Sequence, residues 1–273
     1  MTVDDYSLGR SEAETRRLIF QNQIYGQITR RFFQAAGIGP GMKVLDVGSG
    51  AGDVALLAAD LVGPSGRVVG VDMNGSILET ARARVDAAGW RNVTFLTGEA
   101  EKVPLDSDFD AIVGRWVLMW VPDPASFLRR LVTHLRIGGI VAFHDNDFSY
   151  PPSVFPATEL WQKIQRWMIP APGAPGPDMR MGTKLFRVYI EAGLPEPRLQ
   201  VEAPAGGGPE WPGYEYVVET FRSLLPSIQQ RTGLDPKEVD IDTLAERLRE
   251  DVVQQNGVLM LPIVFGAWSH RRS

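Results

Sequence analysis

The sequence predicts an α/β fold with a mostly parallel, seven-stranded sheet that carries helices on both faces. Three observations support this prediction. Short apolar runs alternate with helical patterns between residues 44 and 143. A glycine-rich turn joins the first apolar run, 44–47, to the helical pattern that follows it. Two more strand-like runs, 198–202 and 258–268, come late in the chain. Short apolar strands separated by helices typically form a parallel sheet that is buried on both faces.

The first half of the chain supplies most of these elements in regular order. Apolar residues at helical spacing predict a helical arm before the first strand, and Gly37 and Pro40 follow it as breakers. Asp123 and Pro124 stand where an N-cap and a first helical residue are expected. The predicted helices cover residues 11–36, 53–62, 75–88 and 124–135, and the predicted strands cover 44–47, 67–72, 93–96, 109–113 and 139–143.

After residue 148 the regular alternation stops, and the proline-rich segment 169–178 is a candidate mobile lid. Helices are predicted over 158–168, 183–192, 213–231 and 241–254. We predict that they form a helical cap inserted between late strands of the same sheet, within a single domain. Its predicted parts are a helical arm at 1–40, a ligand-binding core at 41–148, a cap with late sheet elements at 149–256, and a terminal strand at 257–273.

The composition excludes several classes of protein. The 273 residues carry a net charge of −5 and no cysteine, which excludes disulfides, thiol catalysis and cysteine-bound metals. A chain without a basic patch is unlike a general nucleic-acid binder. The polar, acidic first residues are unlike a signal peptide, and the longest apolar run is too short to span a bilayer. We therefore expect a cytoplasmic protein that binds neither a membrane nor nucleic acid.

The glycine turn after the first strand indicates the kind of ligand. Gly48, Gly50 and Gly52 stand at every second position, whereas a dinucleotide-binding turn requires its third glycine where Asp53 stands. Asp53 at a helix start, with Asp46 beside the turn, would repel a pyrophosphate. No Gly-Lys-Ser/Thr sequence follows, so the turn is not a P-loop either. A ligand with a cationic part and no phosphate fits better, and S-adenosylmethionine is such a ligand.

A further acidic residue supports a ligand that contains adenosine. Asp72 ends the second predicted strand, at the place from which a carboxylate can accept hydrogen bonds from both ribose hydroxyls. The alternative is that Asp72 only caps the helix that follows. Its position relative to Gly48 favours the ribose interpretation.

Four segments, in this order and spacing, resemble the motifs of the class I S-adenosylmethionine-dependent methyltransferases, whose fold is Rossmann-like. They are 44–52, 69–73, 98–104 and 109–124. The resemblance covers residues 43–145 well and the rest loosely. It implies S-adenosylmethionine as the cofactor, with contacts from Asp46, Gly48, Ser49, Gly50, Gly52, Asp72, Met73, Glu99, Ala100 and Arg115.

The resemblance also implies individual roles for some of these residues. Met73 would pack on the adenine, and the backbone at Gly114 and Arg115 would contact the methionyl amino group. The segment after the third strand would meet the adenine edge, and this chain has Glu99 where the family usually has aspartate.

Methyl transfer to a hydroxyl or an ammonium group requires that a proton leave the acceptor. His144 follows the fifth predicted strand directly, and its ordinary pKa makes it the candidate general base. The alternative is a histidine that is hydrogen-bonded within its own loop. Arg115 is a second polar candidate, which could orient an acidic acceptor.

Three oxygen-bearing side chains in a row invite a metal interpretation, because hard cations take clustered oxygen ligands. They are Asp145, Asn146 and Asp147. Metal-dependent relatives also need an acidic residue just after the fourth strand, where this chain has Arg115. A guanidinium there would repel a cation, so we predict no metal site.

The acceptor pocket is expected to be aromatic, although core packing within the cap is the commoner use of such side chains. The aromatic residues around the expected cleft are Trp116, Trp120, Phe148, Tyr150, Phe155, Trp161 and Trp167. The helical arm either packs on the sheet or covers the cleft through Tyr6, Gln21, Asn22 or Tyr25.

The sequence therefore predicts methyl transfer from S-adenosylmethionine to a small-molecule substrate, a partly aromatic or apolar organic acceptor, by O- or N-methylation. One alternative is a catalytically silent protein that binds S-adenosylmethionine with the same fold. Another is an NAD(P)-dependent oxidoreductase, which the glycine spacing and Asp53 disfavour.

Overall fold

The computed structural model describes residues 12–168 and 176–272. Its helices are α1 (Glu12–Ala36), α2 (Asp53–Val62), α3 (Gly75–Ala87), α4 (Pro124–Leu131), α5 (Glu159–Met168), α6 (Met181–Glu191), α7 (Gly213–Thr232), α8 (Pro236–Val239) and α9 (Leu244–Gln254). Its strands are β1 (Lys43–Val47), β2 (Arg67–Asp72), β3 (Val93–Thr97), β4 (Phe109–Arg115), β5 (Leu135–Asp147), β6 (Ser153–Phe155), β7 (Arg198–Glu202), β8 (Ala205–Gly206), β9 (Val258–Met260) and β10 (Ile263–His270).

The predicted fold class is confirmed. Seven strands form one sheet in the order β3-β2-β1-β4-β5-β10-β7. The first five are parallel to one another, and β10 runs antiparallel to both β5 and β7. The strand order reverses between β1 and β4, and the carboxyl ends of strands at such a reversal form a crevice for ligands. The loops after these two strands therefore hold the candidate site.

Alternating residues of β1 face two different cores, as the period of a strand requires. Val44 belongs to the core that contains residues of α1, α2 and α3. Leu45 and Val47 belong to the core that contains residues of α4 and α6. Helices therefore pack against both faces of the sheet through apolar side chains. This packing holds the strand ends in fixed relative positions.

A third core lies above the carboxyl edge of the sheet. It joins Tyr25 of α1 to Trp161 of α5, Phe221 of α7 and Leu248 of α9. A second, three-stranded sheet in the order β6-β9-β8 adds to it. In the chain, α5 follows β5, and α7 to α9 lie between β7 and β10. The single-domain division of the chain stays a prediction.

Two strand predictions differ most from the structure in their bounds. The terminal strand predicted over 258–268 is split into β9 and β10, because Pro262 has no N–H to donate to a ladder. The strand predicted over 139–143 runs from Leu135 to Asp147, since it continues through an irregularity in its pairing with β4.

Some predictions fall outside the described residues. Tyr6 and most of the candidate lid, residues 169–175, lie there. Among the helices that are described, none is long and apolar enough to cross a bilayer.

The hydroxyl of Tyr189 on α6 bridges β5 and β10. It donates to the Ala267 carbonyl at 2.7 Å and accepts from the Phe143 N–H at 3.1 Å. We expect Tyr189→Phe to lower the free energy of unfolding by about 1–3 kcal/mol, because two buried backbone groups lose a partner. Urea unfolding followed by circular dichroism measures this change.

Tyr214→Phe is the matched control for that experiment. The Tyr214 hydroxyl is also buried, and in the described part of the chain no hydrogen-bond partner faces it. Its removal should change the free energy of unfolding by less than about 0.5 kcal/mol. Equal losses in the two variants would contradict the bridging role of Tyr189.

Candidate active site

A cavity of about 790 Å³ opens at the carboxyl ends of β1, β2 and β4. The turn after β1 and the ends of β2 and β4 form its floor, and residues of α1, α5 and α7 line its other sides. This volume is typical of sites for small molecules and cofactors.

The glycine turn is held tightly against β2. The Gly48 and Ser49 N–H groups both donate to the Val71 carbonyl, at 2.8 and 3.0 Å. Gly48 has a positive φ of 68°, and a Cβ there would lie 2.7 Å from a methyl group of Val117. Only glycine fits at this position. The fixed turn brings the backbone of Gly50 into the cavity wall.

Asp72 connects the turns that follow β1 and β2. Its Oδ2 accepts the Gly50 N–H and its Oδ1 accepts the Asn74 N–H, both at 2.8 Å. The carboxyl is largely buried, which raises its pKa. Each oxygen retains a second lone pair, and Asp72 lines the cavity. Such a carboxylate can accept both hydroxyls of a ribose, so the site fits S-adenosylmethionine.

The helix-capping alternative for Asp72 is not what the structure shows. Asn74 is the N-cap of α3, and its side chain accepts the N–H groups of Ser76 and Ile77. Asp72 is thus left to hold the two turns and face the cavity.

Eight of the ten residues predicted to contact the cofactor line this cavity. They are Gly48, Ser49, Gly50, Asp72, Met73, Glu99, Ala100 and Arg115. Glu99 forms an ion pair with Lys102 at 2.8 Å on the side where the adenine is expected.

Asp46 and Gly52 do not line the cavity, and their predicted contact roles need correction. Asp46 is fully buried beneath the turn, and burial raises its pKa to about 8. Gly52 turns toward α3 instead, where a Cβ would lie 3.0 Å from that of Ala81. Both residues therefore support the conformation of the turn from the side that faces away from the cavity.

The charge argument drawn from Asp53 also needs correction. Asp53 lines the cavity at the start of α2, as expected. Its carboxylate forms an ion pair with Arg84 at 2.6 Å, and the same guanidinium donates to the Ala51 carbonyl. Because Arg84 offsets the negative charge, Asp53 alone does not exclude a phosphate.

Arg115 reaches from the end of β4 to the helical arm. Its guanidinium donates to Thr29 at 3.2 Å and to Asn22 at 3.4 Å, and lies over the Trp116 ring at 5.0 Å. Burial lowers the pKa of Arg115. Tyr25 meets the same indole edge-on at 4.9 Å. Of the arm residues considered in the sequence, Gln21 lines the cavity, whereas Asn22 and Tyr25 support it from behind.

The prediction of His144 as the general base is wrong. β5 continues through this residue, and its side chain is only 2 % exposed. The imidazole stacks on Phe32 of α1 at 4.9 Å and does not line the cavity. Burial first, and then the charge of Arg115, lowers its pKa to about 3. A buried imidazole outside the cavity cannot take a proton from an acceptor.

The acidic run after His144 supports the backbone. Asp145 accepts the Met119 N–H at 3.3 Å, and Asp147 accepts the N–H groups of Ser149 and Thr183. Asn146 is the member of this run that lines the cavity. The described residues contain no group of three or more His, Cys, Asp or Glu side chains that could hold a metal ion.

Four of the seven predicted pocket aromatics line the cavity: Trp116, Trp120, Phe148 and Trp161. Tyr150 and Phe155 are 60 % and 77 % exposed, and Trp167 stacks on Phe221 within the cap. Sequence reasoning missed the wall residues of the arm and of α7, which include Arg17, Leu18, Tyr216, Thr220 and Leu224. The amphipathic pattern of α1 and α7 is the one sequence signal that could have predicted these wall residues.

Comparisons with known proteins find methyltransferases, which agrees with a site that fits S-adenosylmethionine. Residues 38–171 match a family model described as a methyltransferase domain. The chain is 35 % identical over 136 residues to the arsenite methyltransferase of Aquipseudomonas alcaligenes, covering 45 % of this chain and 39 % of that protein. It is 36 % identical over 116 residues to the ubiquinone/menaquinone biosynthesis C-methyltransferase of Ectopseudomonas mendocina, covering 41 % and 45 %. The chain thus matches less than half the length of these relatives.

The fold is also similar to that of solved structures. The phosphoethanolamine N-methyltransferase 2 of Haemonchus contortus, solved with S-adenosylhomocysteine, has a TM-score of 0.59 to this chain. The alignment covers all of this chain and 61 % of that one, at 15 % identity. At this identity, the similarity concerns the fold alone.

His144→Phe should remove an acid sensitivity of the fold. Burial lowers the pKa of the imidazole from about 6.5, its ordinary value in an unfolded chain, to about 3 in the folded chain. The unfolded state binds more protons between these values, so stability is lost as the pH falls below about 6.5. Between pH 7 and pH 5, the wild type should lose about 2 kcal/mol more than the variant.

Urea unfolding of both proteins at the two pH values measures this difference. The difference isolates His144, because the other titrating groups are common to both proteins. An identical pH dependence in the two proteins would show that the imidazole is not buried in its neutral form.

Proposed function

We propose that this chain methylates a small, uncharged, largely apolar organic molecule. The premise is that residues 38–171 match the family model of a methyltransferase domain and that the curated relatives of this region are methyltransferases. The predicted cofactor, S-adenosylmethionine, is confirmed at the level of the family. The acceptor and the transfer reaction of the whole chain are proposals.

The distribution of charge along the cavity carries the proposal. The charged wall residues belong to α1, to the start of α2, and to the ends and following turns of β2, β3 and β4: Arg17, Asp53, Asp72, Glu99, Glu101 and Arg115. The wall formed by α5, α7 and the β9–β10 junction has no charged side chain in the described part of the chain. It consists largely of apolar residues such as Trp161, Ile164, Leu224 and Leu261. An ionic acceptor would lose its hydration there without a partner.

The cofactor supplies an activated methyl group when it is bound, so the protein's work is to bind, orient and exclude water. Asp72 and the glycine turn fix the adenosine end. The apolar cap covers the opposite end and keeps water from the reacting centre. Asn146, Thr220 and Tyr216 are uncharged polar wall residues that can orient an acceptor by hydrogen bonds.

O- or N-methylation stays part of the proposal. A second candidate is methylation of a ring carbon in a hydroxylated aromatic acceptor, which the 36 % identity to a C-methyltransferase of quinone biosynthesis favours. Arsenite is a less suitable acceptor, because trivalent arsenic is a soft centre that prefers thiolates and these 273 residues contain no cysteine.

Methyl-labelled S-adenosylmethionine tests the proposal directly. We expect label in uncharged hydroxylated aromatic or isoprenoid acceptors, and not in their carboxylated or phosphorylated analogues. Transfer to the ionic analogues alone would contradict the proposed acceptor class. Binding of S-adenosylhomocysteine without transfer to any acceptor of a broad panel would instead favour the silent binding protein.

Two neighbouring residues of α7 provide a matched pair for the acceptor wall. Leu224 lines the cavity, whereas Leu225 packs in the cap and does not. Leu224→Asp should raise the KM for the acceptor at least about 10-fold, because it places a charge on the apolar wall. Leu225→Asp should leave this KM within about 3-fold. Unchanged binding of S-adenosylhomocysteine shows that both variants are folded.

A further inference from the structure

The strand β7 forms one edge of the seven-stranded sheet. In the described part of the chain it pairs with β10 alone, and the register is regular over all five residues of β7. The strand itself contains neither a proline nor a bulge, which are two devices that keep an edge strand from pairing with another chain. The backbone groups on the outer side of β7 can therefore pair with a further strand.

The apolar side chains of β7 lie on the face of the sheet that α6 covers. Val201 stands opposite Phe265 of β10, and Leu199 stands opposite Ala267. Residues that are directly opposite in an antiparallel pair point to the same face. Phe265 and Ala267 pack in the core that contains residues of α6. Leu199 and Val201 are nevertheless 46 % and 50 % exposed, so this face carries uncovered apolar side chains at its edge.

The helix α6 adds two exposed apolar side chains, Phe186 and Ile190, on the same side. Gly182, Phe186 and Ile190 follow one another at intervals of four, so they share one side of the helix. A Cβ at Gly182 would lie 2.7 Å from the Phe265 ring, so this side faces β10 and, beyond it, β7. The four exposed residues form one edge patch: Phe186, Ile190, Leu199 and Val201. An exposed apolar patch of this kind marks an interaction surface.

The charges of β7 are complementary to those of a second, antiparallel copy of β7. Arg198 begins the strand, Gln200 is its centre, and Glu202 ends it. Pairing of two copies about Gln200 places each Arg198 opposite the Glu202 of the other copy. Arg198 is exposed, and among the described residues no carboxylate pairs with it. Glu202 pairs with Arg31 of its own chain at 2.5 Å, and its oxygens retain further lone pairs.

We propose that two copies of this chain associate edge to edge through β7, in antiparallel register about Gln200. The two sheets then become one continuous sheet, and the two edge patches meet on one face of it across a two-fold axis. The apolar patch supplies the affinity. The pairs between Arg198 and Glu202 set the register, because exposed ion pairs contribute little free energy but disfavour a wrong alignment.

The opposite edge of the sheet lacks these features, since the exposed side chains of β3 are Thr94 and Thr97. The proposed dimer goes beyond the proposed function and does not depend on it. It concerns a surface that is separate from the cavity, because none of the four patch residues lines the cavity.

Sedimentation equilibrium of the whole chain, at concentrations up to about 100 µM, tests for the dimer. We expect the wild type to dimerise. Val201→Lys should raise the dissociation constant at least about 10-fold, because it places a charge from each copy in the apolar interface. Val258→Lys is the matched control, since Val258 is 45 % exposed on β9 of the second sheet, and it should keep the wild-type constant. Circular dichroism shows that both variants are folded.

A pair of charge reversals tests the register. Arg198→Glu and Glu202→Arg each place like charges opposite one another in a homodimer, so each should raise the dissociation constant at least about 10-fold. An equal mixture of the two variants should dimerise like the wild type. In the mixed dimer one strand carries two acidic residues and the other carries two basic residues, so both contacts are complementary.

Three results would overturn the proposal. A wild type that stays monomeric at the highest concentration would leave the edge patch to a different partner protein. A dimer that Val201→Lys and Val258→Lys affect equally would show that the copies meet elsewhere. Failure of the mixed variants to associate, with both of them folded, would show that β7 does not pair in the proposed register.

Discussion

The carboxylate of Asp72 is the constraint on which the rest of the site depends. It accepts one N–H from Gly50 and one from Asn74, and so joins the turns after β1 and β2. Two further bonds from the glycine turn to the Val71 carbonyl fix the same junction. A buried carboxylate is stable only when it is hydrogen-bonded, and these amides supply part of that requirement. The lone pairs that remain define a receptor for a vicinal diol.

The cofactor half of the site could be predicted because its determinants are local in sequence. Strand, glycine turn and helix follow one another within 43–62, and the sheet then places the next acidic residue, Asp72, beside the turn. His144 was mispredicted for a local reason as well. The fifth strand was predicted over 139–143, which would leave His144 in the loop after it, yet β5 extends to Asp147. The His144 side chain lies on the face of the sheet that α1 covers, where it stacks on Phe32.

The acceptor half could not be predicted to the same depth, because tertiary packing forms it. Helices from three separate parts of the chain, α1, α5 and α7, meet above the sheet and share one apolar core. Composition indicates that this region is rich in aromatic residues. It does not indicate which faces turn inward, and Phe155 and Trp161 come from neighbouring segments with opposite exposure. Pro262 divides β9 from β10, and β9 pairs with β6 and β8 in a small second sheet. No pattern in the sequence predicted this second sheet.

The central claim is that the Asp72 carboxylate both joins the two turns and receives the ribose of the cofactor. Calorimetric titration of Asp72→Asn with S-adenosylhomocysteine tests it most directly, with Asp86→Asn on the exposed side of α3 as the control. An amide has one accepting oxygen, so one backbone N–H and one ribose hydroxyl lose their partner. We predict a loss of affinity of about 100-fold or more for Asp72→Asn and no loss for the control. Wild-type affinity in a folded Asp72→Asn protein would contradict the account.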